Sequence, residues 1–230
     1  MTYVLGQDYS NSYPYTATVF VQSTFADGSV ASGSGVMVGP NDVLTAAHML
    51  WDADTGAATS VTVFPGYNDG NIPFGAIAGA QWSYYQWDFL GADGQPGHDD
   101  MAFPSESQWD VGVIGLSTNV GYQTGWFGID SGGYSDYYFE TGYPADEWIN
   151  GVPQLSLDYG YAAYDPNYWT YDYQDGFSIS PGNSGGPLWY MGADGFPYVI
   201  GICSTGVSAA DVGFTFDTIQ AWMNNDYLLV

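Results

Sequence analysis

The chain has 230 residues, 46% of them hydrophobic and 18% aromatic, enough to bury the core of one large domain or two small ones. It holds 25 Asp and Glu and no Lys or Arg, a formal net charge of −25, where average composition would give roughly 29 basic residues. Such a surface excludes nucleic acid and anionic membranes as electrostatic partners, and its self-repulsion is expected to be relieved by salt, bound Ca²⁺ or partial protonation.

The segments 15–25 and 29–38, joined by Ala26-Asp27-Gly28, predict a β-hairpin. Val43-Leu44-Thr45 reads as a strand that leads into Ala46-Ala47-His48-Met49-Leu50, where small alanines let a single helical turn pack and hold His48 at the edge of a barrel. Further strands near 61–65, 74–82 and 111–116, the last headed by Asp110, complete a first barrel within residues 1–120. The Gly-rich stretch 117–133 is the expected crossover. Segments near 134–142, 152–161, 168–173, 186–191, 197–204 and 212–216 predict a second barrel within 121–230, and Asp217 with the apolar spacing behind it predicts a capped terminal helix. The expected fold is therefore all-β: two six-stranded antiparallel barrels and a C-terminal helix in one domain, with a ligand cleft between the barrels. No fixed-period repeat is visible.

Three segments carry chemistry. In Gly182-Asn183-Ser184-Gly185-Gly186-Pro187 the glycines allow a tight turn that exposes the Ser184 hydroxyl and lets the N–H groups of Gly182 and Ser184 face a developing oxyanion. A serine hydroxyl needs a base, and the base needs a carboxylate to fix its tautomer. His48 and Asp110 are the candidates, the latter heading an apolar run where a carboxylate must be hydrogen-bonded to be buried. The other histidine, His98, lies in Gly97-His98-Asp99-Asp100, a polar loop suited to solvated side chains, and Asp99 and Asp100 are weaker acid candidates for the same reason.

Taken in the order His, Asp, Ser, these segments resemble the chymotrypsin/trypsin-like serine peptidases. Val63-Phe64-Pro65-Gly66-Tyr67-Asn68 and Ile72-Pro73-Phe74-Gly75 resemble the loop after the histidine in the bacterial branch of V8-type glutamyl endopeptidases. The resemblance implies His48 as base, Asp110 as orienting acid, Ser184 as nucleophile, Gly182 and Ser184 as oxyanion donors, and Ser204 as the serine that supports the aspartate. It also implies a substrate pocket formed by Ser178 at its base with Ile179, Cys203, Thr205, Gly206 and Gly213. Animal members carry an aspartate before the nucleophile that pairs with a newly cut N-terminus, and this chain has Asn183; glutamate-specific members carry a histidine where it has Cys203.

An uncharged pocket is expected to take a large apolar or aromatic side chain at P1, the residue before the scissile bond. The alternatives are basic P1 specificity, which a chain without Lys or Arg would survive, and a catalytically silent peptide-binding or adhesion module. Protein or peptide substrates, a monomer and no cofactor in the chemical step are expected. No metal is assigned, although Asp52-Ala53-Asp54-Thr55-Gly56 and Asp93-Gly94 are partial matches to Ca²⁺ loops. Cys203 is the sole cysteine and reads as a buried thiol. No run approaches the roughly 18 apolar residues of a membrane span. Met1-Thr2-Tyr3-Val4-Leu5 lacks the features of a secretory leader, so secretion is expected with a leader removed or through a C-terminal signal outside this chain.

Overall fold

A computed structural model describes residues 2–86 and 104–226, so His98, Asp99, Asp100 and Asp93-Gly94 lie outside the described residues. Strands β1 (Thr18–Thr24), β2 (Val30–Met37), β3 (Asp42–Thr45), β4 (Ser60–Pro65), β5 (Ile77–Tyr84) and β6 (Gly112–Leu116) close a barrel in the order β1-β2-β3-β6-β5-β4. Strands β7 (Asp136–Gly142), β8 (Ser156–Asp165), β9 (Thr170–Tyr173), β10 (Pro187–Met191), β11 (Pro197–Cys203) and β12 (Ser208–Asp211) close a second in the order β7-β8-β9-β12-β11-β10. Every pairing within the two rings is antiparallel. The two paths are the same path repeated, with different connection lengths, which is why no period shows in the sequence. Closure leaves neither barrel with an open edge.

Alternation drives both barrels. Val19 and Val21 on β1, Val43 on β3, Val61 and Val63 on β4 and Ile114 on β6 are buried in the first core. In the second, Tyr138 and Tyr171 share a cluster with the small residues Ala162 and Ala209. This pairing explains a difference from expectation. The sixth strand of the second barrel runs over Ser208–Asp211 and not 212–216, because small residues there make room for the Tyr171 ring, and alanine is a weak strand signal. Likewise Tyr15–Ala17 is a 3₁₀ turn following Pro14, and β1 begins only at Thr18.

The crossover holds a helical turn, Gly121–Thr124, and a two-residue strand, Gly128–Ile129, parallel to β11. The terminal helix Phe216–Asp226 packs on β6 and buries Ile219 and Met223; Asp217 falls in its first turn, where a negative charge still favours the helix dipole. No helix among the described residues is long and apolar enough to cross a membrane.

The barrels are joined by aromatic packing and by hydrogen bonds. Phe20 of the first meets fully buried Tyr143 of the second edge-on at 5.3 Å, with Trp148 and Tyr67 around them. Thr18 Oγ1 and Thr141 Oγ1 lie 3.1 Å apart in the same interface.

Candidate active site

His48, the expected base, stands on a 3₁₀ turn, Ala47–Met49, that ends β3, and Asp110, the expected acid, stands just before β6, the neighbour of β3 in the barrel. Adjacent strands therefore bring residues 48 and 110 together. Asp110 is wholly buried. One of its oxygens accepts the backbone N–H of His48 at 2.9 Å; the other lies 2.7 Å from His48 Nδ1 and accepts the Ser204 hydroxyl at 2.7 Å. Two contacts to one histidine fix both the turn and the ring, and the carboxylate on Nδ1 leaves Nε2 as the nitrogen that accepts a proton.

Ser184 arrives from the second barrel on the loop between Tyr173 and β10. This loop is anchored to the first barrel through Ser34 of β2, a residue that carries no signal in the sequence. The Ser34 N–H donates to the Ser184 carbonyl at 2.7 Å, and its hydroxyl donates to the Gly182 carbonyl at 2.6 Å while accepting the Tyr143 N–H at 3.0 Å. Thr45, next to the base, donates to the Ser34 carbonyl at 2.7 Å, so nucleophile loop and base share one support.

The Gly182 and Ser184 N–H groups, the expected oxyanion donors, are aimed by their own peptide units. Pro181 C=O accepts the Ala145 N–H at 2.7 Å, and Asn183 C=O accepts the Gly186 N–H at 2.7 Å. Both peptides are trans, so the N–H groups of Gly182 and Ser184 point the opposite way, and neither meets a protein acceptor among the described residues. The turn needs its glycines. Gly182 sits at φ 102° and Gly185 at φ 84°, and a Cβ on Gly185 would collide with the Ser34 carbonyl and the Thr45 hydroxyl.

Beside the nucleophile is a cavity of about 240 Å³ lined by Ile179, Ser180, Pro181, Ser184, Cys203, Thr205 and Gly206. Of the expected pocket residues, Ser178 and Gly213 are not in this lining, while Ser180 and Pro181 are. Ser178 is exposed, its N–H bound by Asp158 Oδ2 at 3.0 Å, and Gly213 packs against the backbone of Ser131. Burial, and the nearby Glu140 and Asp110 carboxylates, push the Cys203 thiol well above its usual range, so it lines the cavity as a neutral group. A second cavity, of about 350 Å³, shares His48 and lies between the β1–β2 turn, with Phe25, Asp27 and Ser29, and the segment Asp52, Asp54 and Thr55. Three carboxylates thus flank the base side of the cleft. Asp52 Oδ1 caps its own turn, accepting the N–H groups of Asp54 and Thr55 at 3.0 and 2.9 Å.

No family model matches the chain. The extracellular metalloprotease of Bacillus subtilis is 27% identical over 231 residues, covering 94% of this chain and 66% of its own length. The glutamyl endopeptidase of Bacillus licheniformis is 29% identical over 189 residues, covering 78% of this chain and 50% of its own. The chain therefore spans about half to two thirds of the length of these curated relatives. A solved Glu endopeptidase superposes over 96% of this chain and 95% of its own at a TM-score of 0.73, with 18% sequence identity. This is the chymotrypsin-like fold. The first barrel supplies His48 and Asp110 and the second Ser184; Ser34, braced by Thr45, ties the Ser184 loop to the first barrel, and Ser204 of the second reaches across to Asp110. The word metalloprotease describes the B. subtilis relative; among the described residues here, no three His, Cys, Asp or Glu side chains form a group that could hold a metal.

Proposed function

We propose that the protein is a secreted serine endopeptidase. One observation carries this reading: the barrel that holds the hydrogen-bonded pair Asp110–His48, which Ser204 joins from the other barrel, also anchors through Ser34 a serine loop whose two N–H groups are turned away from their bonded carbonyls. Ser184 Oγ attacks the scissile carbonyl as its proton passes to His48 Nε2, and the oxyanion forms at the Gly182 and Ser184 N–H groups. Asp110 steadies the imidazolium, which then protonates the leaving amine. Water, deprotonated by the same histidine, hydrolyses the acyl-enzyme and restores the serine. The extracellular relative supports secretion. A fluorophosphonate probe is expected to modify Ser184 and abolish casein hydrolysis. A folded sample that neither labels nor cleaves would sink the reading and favour a silent binding module.

The substrate side chains follow from the two cavities. The walls beside Ser184 are neutral, and Cys203 contributes an undissociated thiol, which suits a large apolar or aromatic P1 residue. The relative's name, glutamyl endopeptidase, brings acidic P1 as the second reading. Against it stand the absence of Lys and Arg from the chain and the carboxylates behind Cys203. Asp158, behind Ser178, is outside the cavity lining, which weakens basic P1 as well. The leaving amine takes its proton from His48, so the segment after the scissile bond passes the cavity flanked by Asp27, Asp52 and Asp54, where Lys or Arg is favoured. Cleavage of a mixed peptide library is expected to show Phe, Tyr or Leu at P1 and Lys or Arg among the first residues after the cut. Cleavage confined to sites after Glu would overturn the pocket reading and leave the peptidase standing.

A further inference from the structure

We propose that Glu140 is a positioning residue that holds the oxyanion loop through Asn183; this rests on the peptidase reading of the site. Glu140 on β7 and Asn183 beside the nucleophile are each only 1% exposed. Asn183 Nδ2 lies 2.9 Å from both carboxyl oxygens of Glu140, and Asn183 Oδ1 accepts the Ser180 N–H at 3.1 Å. Its backbone is held as well: the N–H donates to the Ser180 carbonyl at 3.1 Å, and the carbonyl accepts the Gly186 N–H. That carbonyl belongs to the peptide unit that carries the Ser184 N–H. Fixing Asn183 at both ends of its amide therefore fixes the plane that aims an oxyanion donor. The strand beneath is rigid, because Glu140 pairs in register with Leu188 of β10 on one side and Asp158 of β8 on the other.

The support works without a cation. Asp158 from β8, Tyr173 from β9 and Cys203 from β11 are the titratable groups that bear on Glu140, and none is basic. Burial, reinforced by Asp158, holds the Glu140 carboxyl well above the ordinary carboxylate range, while the hydrogen bonds from Asn183 pull it back down. A buried acid and amide thus stand where the animal relatives use an aspartate and a freed N-terminus.

Three variants test this. Asn183→Asp sets two carboxyl groups face to face. Its kcat at pH 8 is expected to fall by about 100-fold relative to wild type, the scale of losing one oxyanion donor, and the ratio to recover toward acid pH as the pair takes up a shared proton. Adding Glu140→Gln exchanges donor and acceptor, with the amide Nε2 of the introduced glutamine donating to the new carboxylate, and should restore activity at pH 8. Glu140→Met fills the space without an acceptor and should lower kcat while leaving KM nearly unchanged. Wild-type kcat in folded N183D or E140M, or a folded double variant no better than N183D, would overturn the proposal. If N183D does not fold, the double variant and E140M decide. A wild-type protein without turnover would count against the peptidase reading alone. The pairing would then be read from thermal midpoints, where N183D must be rescued by acid and by E140Q.

Discussion

Asp110→Asn is expected to lower kcat by about 10⁴ near neutral pH while leaving the fold intact. Three donors converge on the two oxygens of Asp110: the His48 N–H, the His48 ring and the Ser204 hydroxyl. Asparagine offers one oxygen and one NH₂. If the NH₂ faces the His48 backbone, two donors oppose each other in a buried site. If it faces Nδ1, that nitrogen must become the acceptor and the proton moves to Nε2, where it blocks proton transfer from Ser184. Ser204 can rotate to accept, so packing survives. The thermal midpoint should therefore shift little while kcat collapses, and a folded variant within tenfold of wild type would contradict the assigned roles.

Much of the architecture was legible because chemistry and topology each impose a residue pattern. A nucleophile loop needs small residues around Ser184, and the strands of the barrels follow alternation in chain order. What escaped sequence reasoning are contacts between residues distant along the chain. Ser34 looks like any serine in a half-buried strand, yet it bonds the carbonyls of both residues 182 and 184. Glu140 and Asn183 lie 43 residues apart, and nothing local marks either as a partner. The carboxylates beside His48 come from a hairpin turn and from the segment after the base, which only closure of the barrel brings together. The cavity lining differs from expectation for a similar reason: the Ser178 N–H is bound by Asp158, distant in the chain, and Ser180 and Pro181 line the cavity.

Thermal stability is expected to rise as pH falls from 8 to about 4.5. Asp211 is 2% exposed, and burial pushes its carboxyl from 3.8 up to about 6, against the lowering effect of hydrogen bonds from the Gly213 N–H and the Tyr164 hydroxyl. Between these values the folded protein keeps a proton that the unfolded chain has lost. Stability from this group is thus fully present below the unfolded value and is lost as pH rises through about 6, a change of about 3 kcal/mol. Glu140, Asp158 and Asp172 are raised by burial too and act in the same direction, as does repulsion among 25 carboxylates with no Lys or Arg to offset them. Asp27 and Asp194 are lowered, chiefly by side-chain hydrogen bonds with Ser29 and Tyr198, and oppose the trend only at more acid pH, which places the optimum above their titration. Asp211→Asn keeps an oxygen for Gly213 and an amide for the Tyr164 oxygen, so it should stabilise the protein at pH 8 and flatten the profile. Unfolding midpoints across pH at constant ionic strength give the answer, and a midpoint that falls on acidification from pH 8 to 5 would refute this account. The same slope sets stability against turnover, since a histidine base works only unprotonated. Salt, by screening the carboxylates, should raise the midpoint at pH 8 and lessen the gain from acid.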